Sequence, residues 1–116
     1  ELMSMPDPPT AIFAINDTTA LQMIDSLERL GLAVPDDVSV VGFDGLLRWL
    51  PGGGRLTSAH QDFTRIGELA AELLLERIRS PQQRVSRHVL LEAPLVVRSS
   101  TSEPRRITDV LLPNRS

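Results

Sequence analysis

Three polar side chains stand at the ends of the two most apolar segments of this sequence. They are its best candidates for binding a ligand. Asn16 and Asp17 directly follow the run over 10–15, and Asp44 closes the run that begins at Val38. The carboxyl ends of neighbouring parallel strands lie side by side, at the edge where open α/β sheets bind ligands. A carboxylate accepts hydrogen bonds from two neighbouring hydroxyls, and an amide both donates and accepts. This combination of groups suits a polyol ligand.

Each of these residues also has an ordinary structural explanation. The tripeptide that begins at Asn16 is a helix start signal, in which Asp17 would be the N-cap and Asn16 a turn residue. Asp44 precedes Gly45, which is typical of a turn-forming Asp. The residue types alone leave both interpretations open.

No set of residues for catalysis or metal binding is visible. The sequence has no Cys and two His, His60 and His88, which excludes zinc-thiolate and histidine-rich sites. No serine stands in a nucleophile-elbow motif, and no glycine fingerprint follows a strand. We therefore expect no catalytic residue, no metal and no cofactor, and a binding function instead of an enzyme.

The pattern of apolar residues predicts a strand, a helix and a second strand in the first half of the chain. The unbroken apolar run over 10–15 predicts a strand covered on both faces, as in a parallel sheet. A helix over about 18–30, closed by Gly31, follows from a repeat of three or four residues: Ala20, Met23, Ile24, Leu27 and Leu30. With a strand over 38–42, these elements form a right-handed βαβ unit.

The second half predicts a short strand over 56–59, a helix over 63–79 and an extended segment over 88–98 that Pro94 interrupts. Ser80 and Pro81 end the helix. Its buried side is expected to carry six residues at helical spacing: Phe63, Ile66, Ala70, Leu73, Leu74 and Ile78.

Size and composition describe an ordinary globular domain. The 116 residues suffice for one domain, with 41% apolar and 23% charged residues. No apolar stretch is long enough to span a bilayer, and no secretory signal is visible, so we expect a cytoplasmic protein without membrane contact. The net charge is -3, and no basic run is present. Such a chain is a poor nucleic-acid binder on its own.

Five segments, in order and at matching spacing, resemble the C-terminal part of a lactose-repressor/galactose-repressor family transcription regulator. These segments are 9–17, 31–44, 56–58, 61–67 and 95–101. The resemblance implies an α/β fold, a partial type I periplasmic-binding-protein-like lobe with a parallel sheet and flanking helices. It also implies that residues 1–116 are a single C-terminal fragment of the effector-binding domain. DNA would then be bound only through an absent N-terminal domain.

The same resemblance implies a division of the chain and a set of site residues. The βαβ lobe spans 9–60, a crossover helix 61–81, returning strands 86–101 and a tail 102–116. The positions of Asn16 and Asp44 would contact a small-molecule effector, a sugar or sugar derivative, with Asp17 beside them. Phe63 would line the pocket, although simple core packing explains it equally well. An acidic residue common in the family is missing at Gly45.

The resemblance further implies a homodimer, paired through the helix that carries Leu21 and the loop that carries Trp49. Trp49 could instead stack on a sugar face, but an interface or loop packing is favoured. A lobe without its opening strands would also leave the helix over 63–79 uncovered. That exposure predicts a homo-oligomer, with a twofold dimer as the favoured form and exchange of this helix between chains as one arrangement of it.

Two other function classes fit the same pattern less well. A transport binding protein has the same fold, and a signal peptide upstream would identify it. A doubly wound enzyme domain would need the glycine loop and the catalytic set that this sequence lacks.

Overall fold

The computed structural model describes residues 2–46, 53–82 and 86–104. After a 3-10 turn at Leu2–Ser4, the elements follow the predicted order: β1 (Ala11–Phe13), α1 (Asp17–Arg29), β2 (Ser39–Asp44), β3 (Thr57–His60), α2 (Phe63–Arg79) and β4 (Leu95–Val96). The four strands form one sheet in the order β1-β2-β3-β4. The first three are parallel, and β4 runs antiparallel to β3. The predicted α/β class is confirmed, with one antiparallel strand at its edge.

Helix α1 has well-formed signals at both ends. Asn16 is the N-cap, because its backbone is extended and its Oδ1 accepts a hydrogen bond from the Thr19 N–H at 2.8 Å. At the other end Gly31 has a φ of +77°. Its N–H donates to the Glu28 carbonyl, and the Leu32 N–H donates to the Leu27 carbonyl. This is a Schellman motif, which confirms the role predicted for Gly31. The N-cap is one residue earlier than the expected Asp17.

The core lies between α1 and one face of the sheet. Its buried apolar residues are Ala14, Ala20, Ile24, Leu27, Val38, Val40 and Leu56. Gly42 allows the close approach of α1, because a Cβ there would stand 2.5 Å from the Asp17 Oδ1 and 3.0 Å from the Leu56 Cδ2. The predicted βαβ unit therefore packs through its small and branched residues.

The opposite face of the sheet is open, so the expectation of a first strand covered on both faces is wrong for the described chain. Phe13 is 66% exposed and Ile15 78% exposed. The Phe13 ring packs edge-on against Phe43, with ring centroids 6.3 Å apart. An apolar run shows that both faces of a strand are apolar, but α1 covers only one of them.

Helix α2 has the predicted bounds and lacks the predicted packing. It contains no buried residue. The chain leaves β3 through Gln61 and Asp62, and the Asp62 Oδ1 caps α2 by accepting the Arg65 N–H at 2.9 Å. It returns in β4, where the His60 N–H donates to the Pro94 carbonyl at 2.9 Å. Because β3 and β4 are antiparallel, the chain leaves the sheet after β3 and re-enters it before β4 at the same end, which is the carboxyl end of β3. The excursion spans residues 61–94. We call this excursion the arm.

The elongated shape of the molecule agrees with a projecting arm. The radius of gyration is 20.4 Å, against about 13 Å for a compact chain of this length. Among the described residues, no helix is long and apolar enough to cross a membrane.

A polar segment after β4 joins the amino-terminal ends of β2 and β3. Ser100 is fully buried, and its Oγ accepts the Thr57 N–H at 2.8 Å and donates to the Val40 carbonyl at 2.7 Å. The Ser102 N–H donates to the Ser39 Oγ at 3.1 Å. We call residues 98–102 the clamp, because they hold these two strands together opposite to the candidate site.

Candidate functional site

Asn16 stands at the junction of β1 and α1, where capping fixes its orientation. Its side chain is half-buried, and the Oδ1 atom serves the N-cap. The cap does not use the two hydrogens on the Nδ2 atom, which are the donors that a ligand oxygen needs. Asn16 can therefore start the helix and still present an amide group at the edge of the sheet.

Asp44 ends β2 in a conformation that is uncommon for a residue with a side chain. Its φ is +103°, in the left-handed half of backbone space. The Oδ1 atom accepts a hydrogen bond from the Gln61 Nε2 at 2.8 Å, and the Gln61 N–H donates to the Asp44 carbonyl at 3.1 Å. Strained backbone of this kind costs about 1–3 kcal/mol and persists where the surroundings hold it. The two hydrogen bonds with Gln61 stabilise this conformation of Asp44.

Asp17 lies deeper, in the first turn of α1. It is 2% exposed, and its Oδ1 accepts a hydrogen bond from the Ser58 Oγ at 2.5 Å. The Ser58 Oγ in turn accepts the Gly45 N–H at 3.2 Å. This chain of bonds ties α1, the residue after β2 and β3 together, next to Asp44 in the chain.

Gly45 shows why an acidic side chain is missing at its position. Its φ is +74°, and a Cβ there would collide with the Nδ1 atom of His60. His60 is the register partner of Asp44 on β3. The imidazole therefore occupies the space in which a side chain at position 45 would begin.

Of the other predicted positions, Phe63 and Leu21 lie on described helices and Trp49 lies outside the described residues. Phe63 is the first residue of α2, two residues beyond Gln61, and it is 46% exposed. Leu21 lies on α1, is partly buried and packs against the core. The roles expected for these three residues stay predictions.

Sequence reasoning assigned no role to Ser58 and Gln61. The available signal was a hydroxyl inside the predicted strand over 56–59 and an amide two residues after its end. The described residues contain no cluster of His, Cys, Asp or Glu that could hold a metal ion. The edge offers the Asn16 amide and the Asp44 carboxylate, which are hydrogen-bonding partners for a polar ligand.

Comparison with known proteins matches this architecture. Residues 1–101 match the family described as periplasmic binding protein-like domain. The chain is 38% identical over 103 residues to the HTH-type transcriptional repressor PurR of Vibrio vulnificus, covering 89% of this chain and 30% of that protein. It thus spans less than a third of that relative's length.

Solved structures of similar fold include two regulators. One is a LacI family transcriptional regulator from Enterococcus faecium with bound ribose, with a TM-score of 0.70 and 28% identity, covering 90% of this chain and 38% of that chain. The other is a dimeric Lac repressor with an 11-residue C-terminal deletion, with a TM-score of 0.66 and 32% identity, covering 84% and 35%. The chain therefore belongs to the periplasmic binding protein-like family, as a segment of the domain found in regulators of the lactose-repressor/galactose-repressor type.

Proposed function

We propose that this chain is the C-terminal part of the effector-binding domain of a transcriptional regulator, and that its effector is a sugar or a sugar derivative. The observation that carries the proposal is the Asp44 carboxylate, which Gln61 orients at the carboxyl edge of the sheet. Asn16 presents its amide at the end of the adjacent strand β1. The solved Enterococcus faecium relative with bound ribose supports a polyol as the ligand class.

In this proposal the residues of the edge have different roles. Asn16 and Asp44 bind ligand hydroxyls directly. Gln61 holds the Asp44 carboxylate, so that one oxygen remains oriented toward the ligand. Asp17 belongs to the site as a positioning residue, because it is buried and acts through Ser58 on the Gly45 turn. Phe63 provides an apolar surface at the start of α2.

The regulator as a whole would act in the cytoplasm as a homodimer, with Leu21 and Trp49 at the contact between subunits. DNA would be bound by a part of the protein that this chain does not span. The effector would shift the balance between the DNA-binding and released states, because it binds one of them more tightly. A repressor is favoured over a sugar-transport protein because the relative that this chain matches is a repressor.

The test is a calorimetric titration of the full-length regulator that contains this chain with D-ribose, lactose and a panel of other mono- and disaccharides. For a sugar that binds, we expect Asp44→Asn to weaken binding by about 10- to 100-fold, since a hydrogen bond to a charged group contributes about 1.5–3 kcal/mol. Asp25→Asn is the matched control, because Asp25 is an exposed carboxylate paired with Arg29 on α1. Equal affinity of the Asp44 variant and the unchanged chain would remove Asp44 from the site.

A further inference from the structure

The peptide group that joins Asp44 to Gly45 is held at both of its ends. Its carbonyl oxygen, which belongs to Asp44, accepts the backbone N–H of Gln61 at 3.1 Å. Its N–H, which belongs to Gly45, donates to the Ser58 Oγ at 3.2 Å. Both residues of the pair have a positive φ, +103° at Asp44 and +74° at Gly45. The two hydrogen bonds therefore fix a peptide plane between residues in an uncommon part of backbone space.

The bond between Ser58 and Gly45 is made inside the protein. The Ser58 side chain is fully buried, and so is this hydrogen bond. A buried N–H without a partner is costly, so native structures leave very few of them. A half-turn of the peptide plane would point the Gly45 N–H away from Ser58 and the Asp44 carbonyl away from Gln61. The Ser58 hydroxyl therefore favours the orientation that the structure shows.

Asp17 determines the direction of the Ser58 hydroxyl. A serine hydroxyl has one hydrogen to donate and two lone pairs to accept with. The Asp17 Oδ1 lies 2.5 Å from the Ser58 Oγ, the length of a charge-assisted bond, whereas the Ala59 carbonyl lies 3.4 Å away. The hydrogen is therefore directed at Asp17, which leaves a lone pair of Ser58 for the Gly45 N–H. Asp17 lies in the first turn of α1, where the helix dipole favours a negative group.

The orientation of this peptide plane bears on the Asp44 carboxylate. The Asp44 side chain leaves the backbone directly beside the plane. Its Oδ1 accepts the Gln61 Nε2 at 2.8 Å, while the backbone N–H of the same Gln61 binds the Asp44 carbonyl. The carbonyl and the carboxylate therefore keep one common position relative to Gln61. A turned peptide would break the backbone bond and displace the carboxylate.

We propose that Ser58, with Asp17 behind it, is a positioning residue of the effector site. It holds the Asp44–Gly45 peptide so that the Asp44 carboxylate stays oriented toward the ligand. The inference rests on the proposed function, in which Asp44 binds ligand hydroxyls, and it adds a residue that does not touch the ligand itself. Because Ser58 acts through Asp44, its contribution to affinity exists only while the Asp44 carboxylate is present.

A double-mutant cycle tests this dependence, by calorimetric titration of the full-length regulator that contains this chain with the sugar of the panel that binds. We expect Ser58→Ala to weaken binding by about 10-fold, the size expected when a hydrogen bond to a charged group is misplaced. In a chain that already carries Asp44→Ala, the same change should alter the affinity by less than about 2-fold, because no carboxylate remains to be positioned. Equal losses in both backgrounds would overturn the proposal.

The clamp supplies a matched control for the loss of a buried hydroxyl. Ser100 is also fully buried, and its Oγ accepts one N–H, from Thr57, and donates to one carbonyl, that of Val40. Ser100→Ala should lower the unfolding temperature much as Ser58→Ala does and leave the affinity within about 2-fold. Sugar binding that weakens equally in both variants would reduce Ser58 to a general structural role and overturn the proposal.

Asp17→Asn is a milder second variant, because it keeps the shape of the buried side chain and one acceptor oxygen for Ser58. We expect a loss of affinity of about 3-fold, again only while the Asp44 carboxylate is present. A loss that persists in full beside Asp44→Ala would contradict the role of Asp17 behind Ser58.

A crystal structure of the unliganded Ser58→Ala regulator tests the positioning without any sugar. We expect the Asp44–Gly45 peptide to be turned and the Asp44 Oδ1 to have left the Gln61 Nε2. An unchanged peptide and carboxylate would overturn the proposal, whether or not a sugar binds. A displaced Asp44 in a regulator that binds no sugar would support the positioning by Ser58 and count against the proposed function alone.

Discussion

Helices α1 and α2 are both amphipathic, yet only α1 packs its apolar side against the sheet. Helix α1 buries Ala20, Ile24 and Leu27 against the sheet, whereas α2 buries nothing. The difference lies in connectivity. Helix α1 links two adjacent parallel strands, so a right-handed crossover lays it on the sheet. Helix α2 links two antiparallel strands, leaves and returns at one end of the sheet, and has no buried residue. Amphipathic spacing shows that a helix needs cover and does not show what provides it.

The largest expected effect comes from removing one apolar side chain on each helix. Ile24→Ala should lower the free energy of unfolding by about 2–5 kcal/mol, because Ile24 is fully buried and a cavity would remain. Ile78→Ala on α2 should change it by less than about 0.5 kcal/mol. Urea unfolding, at a concentration where the chain is monomeric, measures both. Equal losses would mean that α2 is packed within its own chain.

A smaller difference between the two helices is expected when a glycine that contacts or belongs to each of them is replaced by alanine. Gly42→Ala should cost about 1–3 kcal/mol, because the new methyl group would press on Asp17 and Leu56 beneath α1. The same urea experiment measures it. A neutral outcome would show that α1 can move away from β2 without loss.

The smallest effect has the opposite sign. Gly67 lies within α2, and a Cβ there would meet nothing within 4 Å. Gly67→Ala should therefore stabilise the monomer by about 0.5–1 kcal/mol, through the helix propensity of Ala alone. Thermal unfolding of the dilute chain, followed by circular dichroism, checks the sign. A loss of stability would reveal a close neighbour of α2 within the chain.

Much of the local structure could be predicted from the sequence, because it depends on residues close in the chain. The bounds of α2 and the Gly31 cap follow from periodicity and helix-end chemistry. The adjacency of Asn16 and Asp44 follows from the parallel pairing of β1 and β2. The bonds of Ser58 to Asp17 and of Gln61 to Asp44 join residues 41 and 17 positions apart. Such partners depend on which side chains of distant segments the folded sheet brings together, and the local sequence around each residue does not name its partner.

The open face of the sheet could not be predicted for a related reason. Apolar residues on both sides of β1 indicate two buried faces, and this pattern is the same whether the cover comes from the chain itself or from another one. Phe13 and Ile15 therefore led to a strand buried on both faces, although the described structure covers one. The sequence pattern did not show which part of which chain covers the second face of β1.

The clamp has a consequence for the order in which the molecule can be assembled. Ser100 bonds to Thr57 across 43 residues and to Val40 across 60. Contacts at such separations form slowly, because long loops must close first. During synthesis, α1 and its two strands are complete long before residue 100 leaves the ribosome. The amino-terminal ends of β2 and β3 therefore lack these hydroxyl partners until residues 98–102 have been synthesised.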